Sequence, residues 1–131
     1  KTKLFKYELN NPIGIAAGFD KHGDAILGLK KLGFSIIEIG SITPEAQPGN
    51  PKPRVFRLPE DNAVINRYGF NSTGHQEVYE KVRNLDKALL KNGLLGINLG
   101  KNKSSNNATL DYTQGIKIFF DVADYFVINV S

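Results

Sequence analysis

The chain has 131 residues and a net charge of +4 at pH 7, with 40% hydrophobic and 23% charged residues. This composition is typical of one globular domain and excludes a collagen-like or intrinsically disordered chain. There is no cysteine, which excludes disulfides, zinc–thiolate sites and redox thiols, and no apolar stretch approaches the roughly 18 residues of a membrane span.

Four largely apolar runs predict four buried strands. They cover residues 13–17, 36–39, 94–99 and 126–128, and each is followed by small or polar residues. Continuous apolar runs of this length suit strands that are buried on both faces of a parallel sheet. Because ligands of α/β proteins bind at the carboxyl ends of such strands, the residues after the four runs predict one composite site.

The first two runs belong to one β-α-β unit. A helix is predicted after Lys21, with apolar residues at helical spacing and Gly33 as its C-terminal stop. A second strand follows over residues 35–39, and the crossover should be right-handed. The buried face of this helix is expected to carry Ile26, Leu29 and Leu32.

A proline-rich excursion follows the second strand. Five of the six prolines lie within residues 44–59, so no helix can form there. Residues 54–58 and 63–68 flank a Pro-Glu-Asp-Asn turn and predict a β-hairpin. Because the excursion follows a strand tip, it is interpreted as a functional loop or lid, with a simple proline-rich linker as the alternative.

Two further helices are predicted in the second half. The first starts at a capping box formed by Thr73 and Gln76 and ends at residues 92–93, with Val78, Val82, Leu85 and Leu89 as its buried stripe. The other begins near residues 105–106, before a last strand over 126–130, and carries Tyr112, Ile116, Phe119 and Ala123 on one face. Four parallel strands with intervening helices suit either an open doubly wound sheet or part of a barrel.

Small and polar residues at the strand tips point to a ligand. Residues 16–18 leave the first tip without bulk, so a flat ring can approach the backbone, and residues 40–41 offer N–H groups and a hydroxyl. Lys21 is either a cation for an anionic ligand or a solvated loop charge. Asn98 and Asn129 are strand-borne amides, and Asn98 is either a core hydrogen-bond bracket or a ligand contact. Two such amides favour a ligand of mixed donors and acceptors, such as a flavin or pyrimidine edge.

The return arm of the hairpin, residues 66–71, carries a second set of candidates. Gly69 allows the backbone to reach a ligand, Asn66 and Asn71 flank it with amides, and Phe70 supplies an apolar wall. The alternative is a glycine turn that leads into the next helix.

Several common motifs are absent from the sequence. There is no Gly-x-Gly-x-x-Gly fingerprint, and the residues around Gly100-Lys101 do not fit the phosphate-binding loop of nucleotide hydrolases. His22 and His75 are far apart and have no ligand-spaced partners, so no metal site is predicted.

Taken together, these motifs resemble the membrane-associated, quinone-dependent class of dihydroorotate dehydrogenases. The resemblance spans nearly the whole chain in family order and at family spacing, and Phe19-Asp20-Lys21-His22-Gly23 is more similar to mitochondrial than to bacterial members. The segments that carry it are residues 11–23, 38–44, 48–54, 65–71, 98–103 and 123–131.

The resemblance implies an α/β fold, the amino-terminal half of a TIM (β/α)8 barrel. Residues 1–131 would form about four βα units of a single FMN-binding domain, together with the proline-rich excursion and hairpin. The implied activity is oxidation of dihydroorotate to orotate in pyrimidine biosynthesis, with FMN as cofactor and a quinone as electron acceptor. The implied partners are these small molecules and the remainder of the barrel, and the implied location is the mitochondrial inner membrane.

The resemblance also implies roles for particular residues. The family's catalytic serine would come just after Ser131, so no catalytic residue is assigned within the chain, which is expected to be an inactive fragment when alone. The implied FMN-binding residues are Ala17, Gly18, Lys21, Ser41, Asn98 and Asn129. The implied substrate-binding residues are Lys21, Asn66, Arg67, Tyr68, Gly69, Phe70 and Asn129.

Two other functions remain open from the residues. One is a non-catalytic module that holds a phosphorylated ring or flavin at Gly18, Ser41 and Asn98. The other, weaker one is a basic nucleic-acid binder, but the Lys and Arg residues are dispersed and do not alternate with exposed aromatic residues, so no nucleic-acid partner is expected.

Overall fold

A parallel sheet of four strands forms the centre of the computed structural model, which describes residues 1–131. Three α-helices, a proline-rich excursion and two small antiparallel hairpins surround it. In chain order the elements are β1 (Thr2–Leu4), β2 (Tyr7–Leu9), β3 (Gly14–Ile15), α1 (Ile26–Lys31), β4 (Ile36–Ile42), β5 (Val55–Leu58), β6 (Ala63–Asn66), α2 (His75–Arg83), β7 (Leu94–Leu99), α3 (Ala108–Phe119) and β8 (Tyr125–Ile128).

The sheet has the strand order β3-β4-β7-β8, with every neighbouring pair parallel. This confirms the predicted α/β class and the four predicted strands. The first strand is shorter than predicted, because only Gly14 and Ile15 pair with β4 and Ile13 is 57% exposed. The spatial order of the four strands is also their order along the chain. Each strand is joined to the next by a crossover that contains a helix, as parallel pairing requires.

The two faces of the sheet differ in chemistry because side chains alternate along each strand. One face carries Ile37, Ile39, Leu95 and Ile97, which are buried against helix residues such as Phe119. The opposite face carries Glu38, Gly96, Asn98 and Tyr125, among others. Full burial of one Leu or Ile side chain contributes about 1.5–3 kcal/mol, so a one-residue slip in register would put the polar face into the core at a large cost.

The amino-terminal segment and the start of α2 differ from the sequence expectations. Residues before Ile13, for which no strand was predicted, form the β1–β2 hairpin, which Leu9 anchors with 1% exposure. The Thr73–Gln76 capping box is wrong: Gly74 precedes the helix with no side-chain cap. The N–H of His75 instead donates to the carbonyl of Pro44 at 3.1 Å, so a tertiary contact replaces the local one.

Leu32, expected on the buried face of α1, is 79% exposed, so that part of the prediction is wrong. Three other boundaries also differ from the predicted ones. Helix α2 ends at Arg83, and Leu89 lies in a separate 3-10 turn over Lys87–Leu90, where it is 50% exposed rather than buried. Helix α3 begins at Ala108 because the side chain of Asn107 accepts the N–H of Leu110. The predicted hairpin is confirmed as β5–β6, although β6 ends at Asn66. None of the helices combines the length and apolarity needed to span a membrane.

Candidate ligand site at the strand tips

A cavity of about 670 Å³ opens at the carboxyl ends of the parallel strands. Small-molecule sites have volumes of roughly 300–1,000 Å³, so the cavity suits a ligand of cofactor size. All eleven residues predicted to bind a cofactor or substrate line it, and what each would touch stays a prediction. The lining residues are Ala16, Ala17, Gly18, Lys21, Glu38, Ser41, Asn66, Arg67, Tyr68, Gly69, Phe70, Asn98, Asn129 and Ser131.

One wall of the cavity is nearly free of side chains. Ala16, Ala17 and Gly18 continue from β3, and Gly18 has a φ of +104°. Its N–H donates to the carbonyl of Gly40 at 2.9 Å, which ties the first tip to the second. A Cβ atom at Gly18 would meet nothing within 4 Å, so the backbone conformation rather than crowding favours glycine there. The result is a low, fixed wall against which a flat ring can lie.

A chain of hydrogen bonds joins the polar groups of three strand ends. Ser41 Oγ donates to Asn98 Oδ1 at 2.5 Å and accepts from Asn129 Nδ2 at 3.0 Å. Asn98 Nδ2 donates to Glu38 Oε1 at 2.9 Å. Asn129 Oδ1 in turn accepts from the backbone N–H and the hydroxyl of Ser131. Each amide is therefore held in one orientation beside the cavity.

The two interpretations of Asn98 turn out to be compatible. Its side chain joins β7 to β4 through hydrogen bonds with Ser41 and Glu38, and the residue also lines the cavity. Only one of its two Nδ2 hydrogens is used by these partners, because Asn98 Nδ2 makes one hydrogen bond within the chain. The residue is 6% exposed, so the second N–H is a buried donor available to a ligand.

Lys21 is the cation at the first strand tip. Its Nζ lies 4.8 Å from the centroid of the Tyr68 ring, and no carboxylate of the chain forms a salt bridge with it. Burial, and next the positive charge of Arg54, lower the pKa of Lys21 below its ordinary value. A half-buried lysine without an internal counter-ion suits an anionic ligand better than the solvated-charge alternative.

The proline-rich excursion holds the arm that faces Lys21. Gln47 Nε2 donates to the carbonyl of Phe70 at 2.9 Å, and Asn50 Nδ2 donates to that of Arg67 at 2.8 Å. Gly69 has a φ of +71°, and a Cβ there would lie 2.7 Å from Asn50 Cγ. Gly69 is thus required by both its backbone conformation and its packing, and the excursion fixes the arm against the cavity.

Two of the lining residues, Glu38 and Ser131, were not predicted from the sequence to contact a ligand. Glu38 had a signal, since it is a charged residue within the otherwise apolar run Ile36-Ile37-Glu38-Ile39. The histidines lie outside the cavity. His75 is 5% exposed at the start of α2, and burial lowers its pKa to about 4, although the Asp111 carboxylate acts in the opposite direction.

Comparison with known proteins gives one consistent family. A family model described as dihydroorotate dehydrogenase matches residues 1–131. A dihydroorotate dehydrogenase (quinone), mitochondrial, from Mus musculus is 56% identical over 135 residues, which cover 100% of this chain and 34% of the relative. A dihydroorotate dehydrogenase (quinone) from Bartonella tribocorum is 51% identical over 124 residues, covering 95% and 33%.

The fold agrees as well. A crystal structure of ligand-free DHODH from Eimeria tenella superposes with a TM-score of 0.86 at 47% identity, over 92% of this chain and 35% of that chain. These similarities confirm the resemblance read from the motifs and the expected fold, a part of the family's barrel. The chain spans about a third of the length of the relatives it matches.

Proposed function

This chain belongs to the dihydroorotate dehydrogenase family, and on that premise we propose that the protein carrying it oxidises dihydroorotate to orotate, with FMN as cofactor and a quinone as electron acceptor. The observation that carries the proposal is that polar residues of the strand tips and the return arm of the hairpin line one cavity. The strand-tip residues are Lys21, Ser41, Asn98 and Asn129, and the arm contributes residues 66–70. By the same relatives we propose a place at the mitochondrial inner membrane.

The residues of the cavity fit FMN by their chemistry. The bare wall at residues 16–18 suits the flat isoalloxazine ring, and Ser41, Asn98 and Asn129 offer the mixed donors and acceptors that its polar edge needs. We therefore assign FMN binding to Ala17, Gly18, Lys21, Ser41, Asn98 and Asn129. The chemistry that bound FMN supplies is acceptance of a hydride and delivery of the electrons to the quinone.

The substrate is assigned to the side of the cavity between Lys21 and the 66–70 arm. Dihydroorotate is a carboxylate, and the Lys21 ammonium, which has no counter-ion within the chain, would neutralise it. Asn66 and Asn129 would pair with the imide edge of the pyrimidine, since each amide both donates and accepts. Arg67, Tyr68, Gly69 and Phe70 would complete the pocket and exclude water.

No residue of this chain is assigned as the base that removes the substrate's proton. Because the chain spans about a third of the length of its relatives, we propose the activity for the whole protein and expect residues 1–131 alone to be inactive. The remaining barrel strands would be its partner in forming the site. The non-catalytic flavin-binding module remains the alternative, and the experiment separates the two.

The test is the purified whole protein, examined for bound flavin and for dihydroorotate-dependent reduction of a soluble quinone. We expect a flavin absorption band at one FMN per chain, and a kcat/KM for dihydroorotate that falls strongly when Lys21 is changed to Met. Flavin without turnover would favour the binding module. Absence of both would overturn the proposal.

A further inference from the structure

Glu38 is a carboxylate on the polar face of β4, with no role in the substrate assignments above. Its Oε1 accepts from Asn98 Nδ2 at 2.9 Å and its Oε2 accepts from the hydroxyl of Tyr125 at 3.2 Å. No Lys or Arg of the chain forms a salt bridge with it. Burial of a carboxylate is costly in free energy unless the group is hydrogen-bonded. The two donors, Asn98 Nδ2 and the Tyr125 hydroxyl, offset this cost for Glu38.

The backbone is built to allow the contact with Tyr125. Glu38, Gly96 and Tyr125 occupy one row of the sheet, since Gly96 is in register with Glu38 on one side and with Tyr125 on the other. A Cβ at Gly96 would lie 2.6 Å from Tyr125 Cε2. The Tyr125 ring can therefore cross β7 only because residue 96 has no side chain. It reaches Glu38 on β4, although β8 and β4 are not neighbours in the sheet.

The carboxylate determines the direction of the whole hydrogen-bond chain. The two ends of an asparagine amide have nearly the same shape, so only their partners decide which end points where. Because an ionised carboxylate accepts but does not donate, Asn98 must turn its NH₂ group to Glu38 and its oxygen to Ser41. Ser41 then donates to Asn98, which leaves its lone pairs for the NH₂ group of Asn129.

We propose that Glu38 is a positioning residue that orients Asn98, and through it Ser41 and Asn129, for binding of the flavin. The inference rests on the proposed function, because these three side chains are the ones assigned to FMN. It also places a negative charge at the cavity, which opposes the extra negative charge of a reduced flavin. Glu38 thus acts both on flavin affinity, through orientation, and on the flavin's reduction potential, through charge.

The experiment compares Glu38→Gln and Tyr125→Phe in the whole protein with a matched control, Glu8→Gln, at an exposed glutamate of β2. The measurements are the dissociation constant of FMN from the apoprotein, the flavin midpoint potential, and thermal unfolding without FMN. We expect Glu38→Gln to weaken FMN binding about tenfold, the size expected for a bond to a charged group, and to raise the midpoint potential. Tyr125→Phe keeps the charge, so it should weaken binding less and leave the potential unchanged.

Each outcome decides between the proposals. If the wild type binds FMN and Glu38→Gln matches it in affinity and potential, the assignment of Glu38 is overturned and the proposed function stands. If the wild type binds no FMN, both are overturned. Should Glu38→Gln fail to fold, Glu38→Asp keeps the charge but withdraws the carboxylate from Asn98; weakened binding would support the assignment and wild-type binding would overturn it.

Discussion

Lys21 and Tyr68 face each other across the cavity, with Lys21 Nζ 4.8 Å from the centroid of the Tyr68 ring. The guanidinium of Arg54 lies 5.4 Å from the same ring, so two cations share one aromatic side chain. Such contacts contribute about 0.5–1 kcal/mol at exposed sites and more when desolvated. They link the first strand tip to the hairpin arm and leave the ammonium without a counter-ion where an anionic substrate would bind.

Replacement of Lys21 by Met should impair substrate binding. Loss of a charged partner for the substrate carboxylate is expected to cost about 2–3 kcal/mol, or roughly 30- to 160-fold in kcat/KM for dihydroorotate. Steady-state kinetics on the whole protein measure the effect. Lys31→Met, at an exposed lysine of α1, is the matched control and should leave kcat/KM unchanged. Equal kinetics for the two variants would remove Lys21 from the substrate site.

Gly96→Ala should destabilise the protein, in contrast to Gly28→Ala. A Cβ at residue 96 would collide with the ring of Tyr125, and overpacking of this kind typically costs about 1–3 kcal/mol. A Cβ at Gly28 in α1 would meet nothing within 4 Å, so alanine there should stabilise by up to about 1 kcal/mol. Urea unfolding gives both free energies. Equal effects would mean that the ring of Tyr125 does not lie over residue 96.

Gln47→Ala should loosen the arm that carries the substrate residues. Gln47 donates to the carbonyl of Phe70 and accepts from the amide of Asn102 and the backbone N–H of Lys103. Its loss removes the hydrogen bonds that connect the excursion to the return arm and to the residues after β7. We expect KM for dihydroorotate to rise about tenfold, because a misplaced arm costs roughly one hydrogen bond of binding energy. Gln76→Ala, an exposed residue of α2, is the control and should have wild-type KM. Unchanged KM in Gln47→Ala would show that the arm is positioned by other contacts.

His75 should make the protein sensitive to acid. Burial lowers its pKa to about 4 in the folded state, against about 6.5 in the unfolded chain. Between these two values only the unfolded chain binds the proton, so the free energy of unfolding falls as the pH falls from 6.5 towards 4, by about 3 kcal/mol in total. His75→Leu should remove this part of the pH dependence.

The comparison is made by urea unfolding of both proteins at pH 7 and pH 4.5. Wild type is expected to lose roughly 2–3 kcal/mol more than His75→Leu over this interval, since the substitution removes the imidazole that binds the proton in the unfolded chain. The same loss in both proteins would mean that the His75 ring is protonated in the folded state.

The sheet and its tips were predictable because the signals are local. Runs such as residues 94–99 are apolar over their length, and parallel strands present their tips at one edge, which brings Lys21 and Asn98 to one cavity. The start of α2 was not predictable in this way. The Thr73 pattern fits a capping box, but the carbonyl of Pro44, which is distant in sequence, accepts the hydrogen bond from the N–H of His75.

Glu38 and the amino-terminal hairpin were missed for different reasons. Strands of three residues, as in β1 and β2, are too short to show a period. The partner of Glu38 on β8 depends on Gly96 letting Tyr125 cross β7, a relation between three strands that no single stretch of sequence contains. Such cross-strand networks become visible only once the register is known.

The decisive measurement is a crystal structure of the whole protein with FMN and orotate bound. We expect the flavin ring against residues 16–18, with Asn98 and Asn129 at its polar edge, and the orotate carboxylate within hydrogen-bond distance of Lys21 Nζ. A flavin bound elsewhere, or an orotate carboxylate paired with another cation while Lys21 faces solvent, would contradict it.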